Sequence, residues 1–273
     1  MVFIPEIQQL DKDTYYFECC AGLGDTMLTC GYKYALEEKY QAPIRFLVKP
    51  SHLFIPKMYH IKDSLVIGQD VTEDFVKKNT ESKPKKGKVY AASPCKHPEL
   101  WEYFKPMYYL TLTVRYIPWF QKFLGIPAET KLKYPLSYPE LSKEIKEACI
   151  KIAPLSEIVL LSPEATSIAP IPFYFWKDLA ERLNSQGLSM ISNVVNPANT
   201  IPGSIFIKMD VSDAVALAMQ CGSVYSIRSG FCDPIFKKGS NLHVFHSSHN
   251  SFFIFEMNEM FPGLQIDEQI ILS

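Results

Sequence analysis

Short apolar runs alternate with longer amphipathic stretches along this chain, and about halfway the alternation starts again. In the first half the runs 15–20, 44–48, 64–67 and 89–92 read as strands, and 25–40 and 72–78 as helices. An unusually aromatic stretch, 101–124, reads as helix, with Pro106 and Pro118 bending or ending its segments. A proline-rich passage with Pro127, Pro135 and Pro139 then leads to a helix over 141–151. In the second half the strands are 157–161, 189–192, 205–208 and 223–226. The helices there are 173–186, stopped by Gly187, and 213–220. Strand–helix alternation on both sides of a break near 150 predicts an α/β fold of two Rossmann-like domains, 1–150 and 151–273. Their sheets are parallel and face each other across a cleft.

Bulk properties narrow the class. At 273 residues the chain is long enough for two modest cores, and 47% hydrophobic with 21% charged residues is ordinary for a globular protein. A net charge of −1 gives no reason to expect nucleic acid as a partner. No apolar run approaches the roughly 20 residues that span a bilayer. The N-terminus, MVFIPEIQQLDKD, does not read as a secretory signal. The cysteines, at 19, 20, 30, 95, 149, 221 and 232, are odd in number and lack C-x-x-C spacing, which fits reduced, largely buried thiols in a cytosolic protein.

In parallel sheets ligands collect at the carboxyl ends of strands, so three loops stand out. The first follows strand 15–20 and reads Gly22-Leu23-Gly24-Asp25. Two glycines ahead of a helix permit a sharp turn and close approach to the helix amides. A carboxylate at its centre repels an anion, so Asp25 suits accepting a proton better than cradling phosphate; the competing role is a cap of the helix. The second loop, Ser162-Pro163-Glu164-Ala165-Thr166-Ser167, offers hydroxyls and amides to a phosphate or a ribose, or is simply a polar turn. The third, Ser226-Ile227-Arg228-Ser229-Gly230-Phe231-Cys232-Asp233, is denser. Arg228 can clamp a diphosphate, Ser229 can donate to it, Gly230 permits close approach, and Asp233 can accept from sugar hydroxyls. Alternatively Arg228 and Asp233 form an internal salt bridge that shapes the loop, and both roles can hold at once, since a salt bridge can orient a binding arginine.

With these loops in view, the chain resembles GT-B-type glycosyltransferases, nearest in layout to the heptosyltransferase-like family 9. That family carries a Gly-Asp turn after its first strand, matched by Gly24-Asp25. Its second domain opens with strand, Ser/Pro-rich loop and a helix near a Trp, matched by LLSPEATSIAPIPFYFW with Trp176. Its late glycine loop is matched in place by RSGFCD. The resemblance implies an N-terminal acceptor-side domain and a C-terminal domain binding a nucleotide-sugar donor. It implies Asp25 as general base and Ser162, Glu164, Thr166, Ser167, Arg228, Ser229, Gly230 and Asp233 as donor-binding residues, with Gly22 and Gly24 shaping the first loop. The implied reaction is an inverting transfer to a glycan or lipid-linked acceptor, without cofactor and without a metal cradle for the diphosphate. The implied setting is cytoplasmic, at or near the inner face of a membrane in envelope polysaccharide synthesis. Peripheral membrane contact would fall to the aromatic stretch 101–120, although aromatics in a helix more often build a core. Heptose specificity does not carry over.

Two other readings stay open. Residues 18–25 look somewhat like the glycine loop of S-adenosylmethionine-dependent methyltransferases, and a non-catalytic nucleotide-sugar-binding protein could keep the same fold. His243, His246 and His249 recur at every third position, but the segment reads as strand then serine-rich loop rather than as a metal site.

Overall fold

The structure, a computed structural model, describes residues 10–19, 22–66, 83–92, 115–166 and 168–271. The expected helix 72–78, the aromatic residues 101–114 and Ser167 lie outside these. Two units divide the chain, Met1–Ser137 and Tyr138–Ser273.

In the first unit β1 (Tyr15–Glu18), β2 (Ile44–Val48), β3 (Leu65–Val66) and β4 (Val89–Ala91) form a parallel sheet in the order β3-β2-β1-β4. Phe17 is in register with Phe46 on one side and Tyr90 on the other. All three are buried, because a strand central to a parallel sheet is covered on both faces. The expected helix 25–40 is two helices, α1 (Leu23–Gly31) and α2 (Lys33–Tyr40). They part at Tyr32, which leaves helical geometry (φ −96°, ψ 6°) while its ring stays buried. A short α3 (Phe54–Met58) follows β2. The described end of the aromatic stretch is α4 (Tyr116–Leu124), closed by Gly125 at φ +66°, a left-handed cap that favours glycine. Phe120, Phe123 and Leu124 are buried there and Phe123 stacks on Tyr90, so this part of the stretch is core.

The second unit holds β5 (Ile158–Ser162), β6 (Ser189–Ser192), β7 (Ile205–Phe206), β8 (Ser223–Ile227), β9 (Leu242–His246) and β10 (Asp267–Ile270). All pair in parallel, in the order β10-β9-β8-β5-β6-β7. Renumbered within the unit this is 6-5-4-1-2-3, the doubly wound order of a dinucleotide-binding sheet. Its helices are α5 (Lys143–Ile150), α6 (Phe173–Ser185), α7 (Val211–Gln220), α8 (His249–Phe255) and α9 (Met257–Met260). Trp176, Leu179, Ala180 and Leu183 recur at three- and four-residue spacing on α6 and pack on Val159, Leu161 and Ile227. Trp176 meets the Phe245 ring edge-on at 5.6 Å.

The boundary at 137/138 precedes the break expected near 150, because α5 belongs to the second unit. Asp213 on α7 accepts hydrogen bonds from Ser142 N at 2.7 Å and Ser142 Oγ at 3.0 Å, fixing the start of α5 there.

Candidate functional site

Strand order locates a crevice in each sheet. In the first unit the chain leaves β1 toward β2 and later returns to its other side as β4, so the carboxyl end of β1 lies at the switch point where ligands settle. The turn after β1 is held from beneath. Thr26 Oγ1 lies 2.5 Å from Cys19 O, 2.9 Å from Gly22 O and 2.8 Å from His52 Nδ1. Burial, then the charge of Lys49, pushes His52 down to about 3, so the imidazole is neutral. With Nδ1 protonated it donates to the threonine oxygen, leaving the hydroxyl proton for a carbonyl.

The glycines work differently from the sequence expectation. The helix begins at Leu23 rather than at Asp25, so Gly24 is helical, and Gly22 is extended at φ −129°, ψ 159°. Neither geometry demands glycine. A Cβ at Gly22 would meet Asp25 Oδ2 at 3.5 Å, an ordinary van der Waals contact. Asp25 itself sits in the first helical turn, half-buried, where the N-terminal dipole favours a carboxylate. The N-cap position belongs to Gly22, not to Asp25. The Tyr116 hydroxyl, carried by α4, donates to Asp25 Oδ1.

In the second unit β5 and β8 are neighbours with Ser162 in register with Ser226, so the two expected donor loops leave the sheet side by side at its switch point. Ser162 is buried, and its Oγ accepts from Asn193 Nδ2 at 3.1 Å. Glu164 ties its loop to the one after β6: Oε2 accepts from Val195 N at 2.7 Å and Oε1 from Asn199 Nδ2 at 2.6 Å. Thr166 is exposed. Ser229 and Gly230 are half-buried, Ser229 Oγ accepts from Phe231 N at 3.3 Å, and Gly230 is outside the left-handed region.

Arg228 and Asp233 form the internal salt bridge that the sequence allowed for. They are 4% and 3% exposed and bond each other at 2.8 Å. Arg228 also donates Nε–H to Phe255 O at 2.9 Å and Nη1–H to Ser229 O at 2.5 Å, and Nη2 lies 3.3 Å from Met260 Sδ. Burial pushes the Asp233 carboxyl up, and the guanidinium opposes it. The internal salt bridge that shapes the loop is what the structure contains, with the guanidinium spent inside the fold.

Of the histidines at 243, 246 and 249, the first two meet carboxylates of β10. His246 is fully buried, with Nε2 3.0 Å from Glu268 Oε1 and Nδ1 3.3 Å from Ser251 Oγ. Burial pushes its imidazole down. Burial raises the Glu268 carboxyl, but the bonds from His246 and the amides of Met257 and Asn258 bring it below its usual value. A neutral histidine thus donates to an ionised glutamate and binds α8 and α9 to β10. His243 pairs separately with Asp267 at 2.7 Å. Among the described residues, no group of three or more His, Cys, Asp or Glu is placed to hold a metal. The Asp-x-Asp spacing that the sequence does contain, Asp11-Lys12-Asp13, is a turn at the opposite end of β1 from Asp25. Asp11 there accepts from Asp13 N at 3.0 Å and from Thr14 Oγ1 at 2.8 Å. Asn193 could have been found from sequence, being the polar residue directly after strand 189–192; Tyr116 and His52 had no local signal.

No family model matches the chain. No curated protein matches it either. Solved structures do. A glycosyl transferase family 9 structure from Veillonella parvula aligns with TM-score 0.55 at 13% identity, over 97% of this chain and 88% of that one. The E. coli ADP-heptose LPS heptosyltransferase II aligns with TM-score 0.54 at 14% identity, over 94% and 89%. The E. coli heptosyltransferase WaaC with ADP gives 0.52 at 11%, over 95% and 93%. No helix among the described residues is long and apolar enough to cross a membrane. Across both of its units, the chain has the GT-B-type fold of these glycosyltransferases.

Proposed function

We propose that this protein transfers a sugar from a nucleotide-sugar donor to a hydroxyl of a glycan or lipid-linked acceptor, with inversion and without a metal. The observation that carries this reading is Asp25, standing in the first turn of the helix after β1 at the switch point of the first sheet. The acceptor oxygen attacks the anomeric carbon and its proton passes to Asp25. The bond to the nucleoside diphosphate breaks, and the electron pair leaves with the phosphate. General-base assistance of this kind contributes about 10²–10⁴ in rate. The donor is assigned to the second unit, between the loops that follow β5 and β8. The diphosphate there meets the Ser229 and Gly230 backbone and the hydroxyls of Ser229 and Thr166, on a loop that buried Arg228 shapes. The two-unit fold leaves the single-domain methyltransferase reading with no observation in its favour.

ADP is the first probe, because a structural neighbour is described with it. A ligand at a hundredfold excess over Kd stabilises by about 2.7 kcal/mol. Nucleoside diphosphates should therefore raise the melting temperature, and S-adenosylhomocysteine should not; the reverse result would overturn the reading. Asp25→Asn should keep the fold and the diphosphate binding while turnover of a bound nucleotide sugar collapses. Near-full turnover in that variant would remove Asp25 from the chemistry. A wild type that binds donors but turns over none would make the protein a binding module.

A further inference from the structure

Four of the six residues in Lys83-Pro84-Lys85-Lys86-Gly87-Lys88, just ahead of β4, are lysines. The fold fixes this segment in place. Gly87 N donates to Thr14 O at 2.8 Å, and Lys88 N to Lys85 O at 3.2 Å. Gly87 lies in the left-handed region at φ +69°, and a Cβ there would come within 3.2 Å of the Lys12 Cα. The segment therefore packs on the turn before β1, and Lys12 joins the other four lysines at the amino end of the first sheet. All five are exposed, and among the described residues their ammonium groups have no carboxylate or hydrogen-bond partner. The acids of the same turn are Asp11 and Asp13. Asp11 already accepts from Asp13 N and Thr14 Oγ1; these bonds and, less strongly, the charge of Arg45 on β2 hold its carboxyl below the usual value. Positive charge prevails at this end of the unit.

Like charges held this close repel one another, and a chain whose net charge is −1 has no general excess of lysine to place. An ordered turn that keeps them together is explained by an anionic partner. We propose that Lys12, Lys83, Lys85, Lys86 and Lys88 form a docking surface for anionic lipid headgroups. Lysine is a hydrated point charge on a flexible stem, which suits many diffuse contacts with a headgroup layer. The segment has no arginine for bidentate phosphate recognition and no aromatic ring on which a base could stack, so nucleic acid fits it less well. Clusters of about four to eight basic residues are what an acidic leaflet attracts, each lysine strengthening binding about fivefold. Membrane contact thus falls to these lysines rather than to the described end of the aromatic stretch, whose Phe120, Phe123 and Leu124 are buried. Asp25 follows the carboxyl end of β1, so the lysines can rest on a surface without covering it.

Sedimentation of the full chain with vesicles tests this. One set is phosphatidylcholine alone, the other phosphatidylcholine and phosphatidylglycerol at two to one. At about 0.1 M salt the protein should bind the acidic vesicles and ignore the neutral ones; at about 1 M, where the Debye length shrinks from about 10 Å to about 3 Å, binding should vanish. Replacing the four lysines together, Lys83→Gln, Lys85→Gln, Lys86→Gln and Lys88→Gln, should weaken binding about a hundredfold or more, and Lys12→Gln alone about fivefold. The side chains are exposed and unbonded, so the melting temperature should stay at the wild-type value. No binding of wild type to acidic vesicles at low salt, or equal binding by wild type and the fourfold variant, would overturn the proposal. Tighter binding of wild type to a mixed-sequence RNA than to the vesicles, lost in the fourfold variant, would also overturn it and give the surface to nucleic acid. Vesicle binding needs neither nucleotide nor sugar, so its failure leaves sugar transfer standing, and failed transfer leaves this surface standing.

Discussion

Acid should loosen this fold through a histidine that the structure keeps from charging. His52 is 6% exposed and its Nδ1 lies 2.8 Å from Thr26 Oγ1. Its proton affinity falls from an ordinary 6.5 to about 3, chiefly through burial and then through Lys49. At pH 7 the imidazole is neutral whether the chain is folded or not, so it contributes almost nothing to the pH dependence. Below 6.5 the unfolded chain takes up a proton that the folded chain refuses until pH is near 3, so stability falls as pH falls across that window. Each unit of pH within it removes about 1.4 kcal/mol, and going from pH 7 to pH 5 should therefore remove about 2 kcal/mol through this one residue. Against a total of about 5–15 kcal/mol that is a large share. Asparagine at position 52 cannot titrate, and its amide can donate near where Nδ1 does. Urea unfolding at both pH values should therefore show His52→Asn losing about 2 kcal/mol less than wild type between pH 7 and pH 5. Other titrating groups, His246 among them, are common to both proteins and cancel in the comparison. The same loss in both would mean that His52 protonates in place, and that the turn beneath Asp25 is not held by a neutral imidazole.

Two more perturbations bear on the second unit. Arg228→Met leaves Asp233 buried without its partner and should cost about 3–5 kcal/mol in denaturant unfolding, while Arg228→Met with Asp233→Leu should recover part of it. A well-folded Arg228→Met protein with selective loss of ADP binding would restore the diphosphate clamp. Glu268→Gln weakens the acceptor for the amides of Met257 and Asn258 and should lower stability by about 1–3 kcal/mol at pH 7. Because the folded Glu268 carboxyl is held below 4.5, the wild type's advantage should persist above that value and fade as pH drops through the folded one. An advantage that stays constant down to pH 3 would place the glutamate's role in shape rather than charge.

What could be read from the sequence follows from what each segment buries. Strand 44–48 falls where its largely apolar run puts it, since a strand covered on both faces needs such a run. β10 went unread because Asp267-Glu268-Gln269-Ile270 is a half-exposed edge strand, three of whose four residues are polar. The start of α1 was misjudged because Gly22-Leu23-Gly24 looks like a loop, and burial of Leu23 and Gly24 overrides that preference. At the site, the rule that ligands gather at strand ends placed loops 162–166 and 227–233 beside each other correctly. It could not decide what Arg228 does, because a clamp and a salt bridge use the same two residue types. The contacts that hold the Arg228 side chain inside the fold come from Phe255 and Met260, 27 and 32 residues further along the chain. The Tyr116–Asp25 bond spans 91 residues and left no pattern to find.

The strand order also sets a timetable for synthesis. β5 lies at the middle of its sheet, yet of its two neighbours only β6 follows it directly; β8 emerges after β7 and a further helix have been made. Until then the β8-facing edge of β5, whose five residues are all buried in the finished protein, has nothing to pair with. β1 is in the same position, waiting for β4 after β2 and β3. Such late, sequence-distant pairings slow folding and leave apolar edges open to other chains in the interval. The crevice at the switch point forms only when the second neighbour docks, so a chain stalled or cut before residue 223 would carry the Ser162 loop without the Arg228 loop. It would present a sticky strand instead of a crevice, and a cell's quality control would meet it as an aggregation-prone fragment.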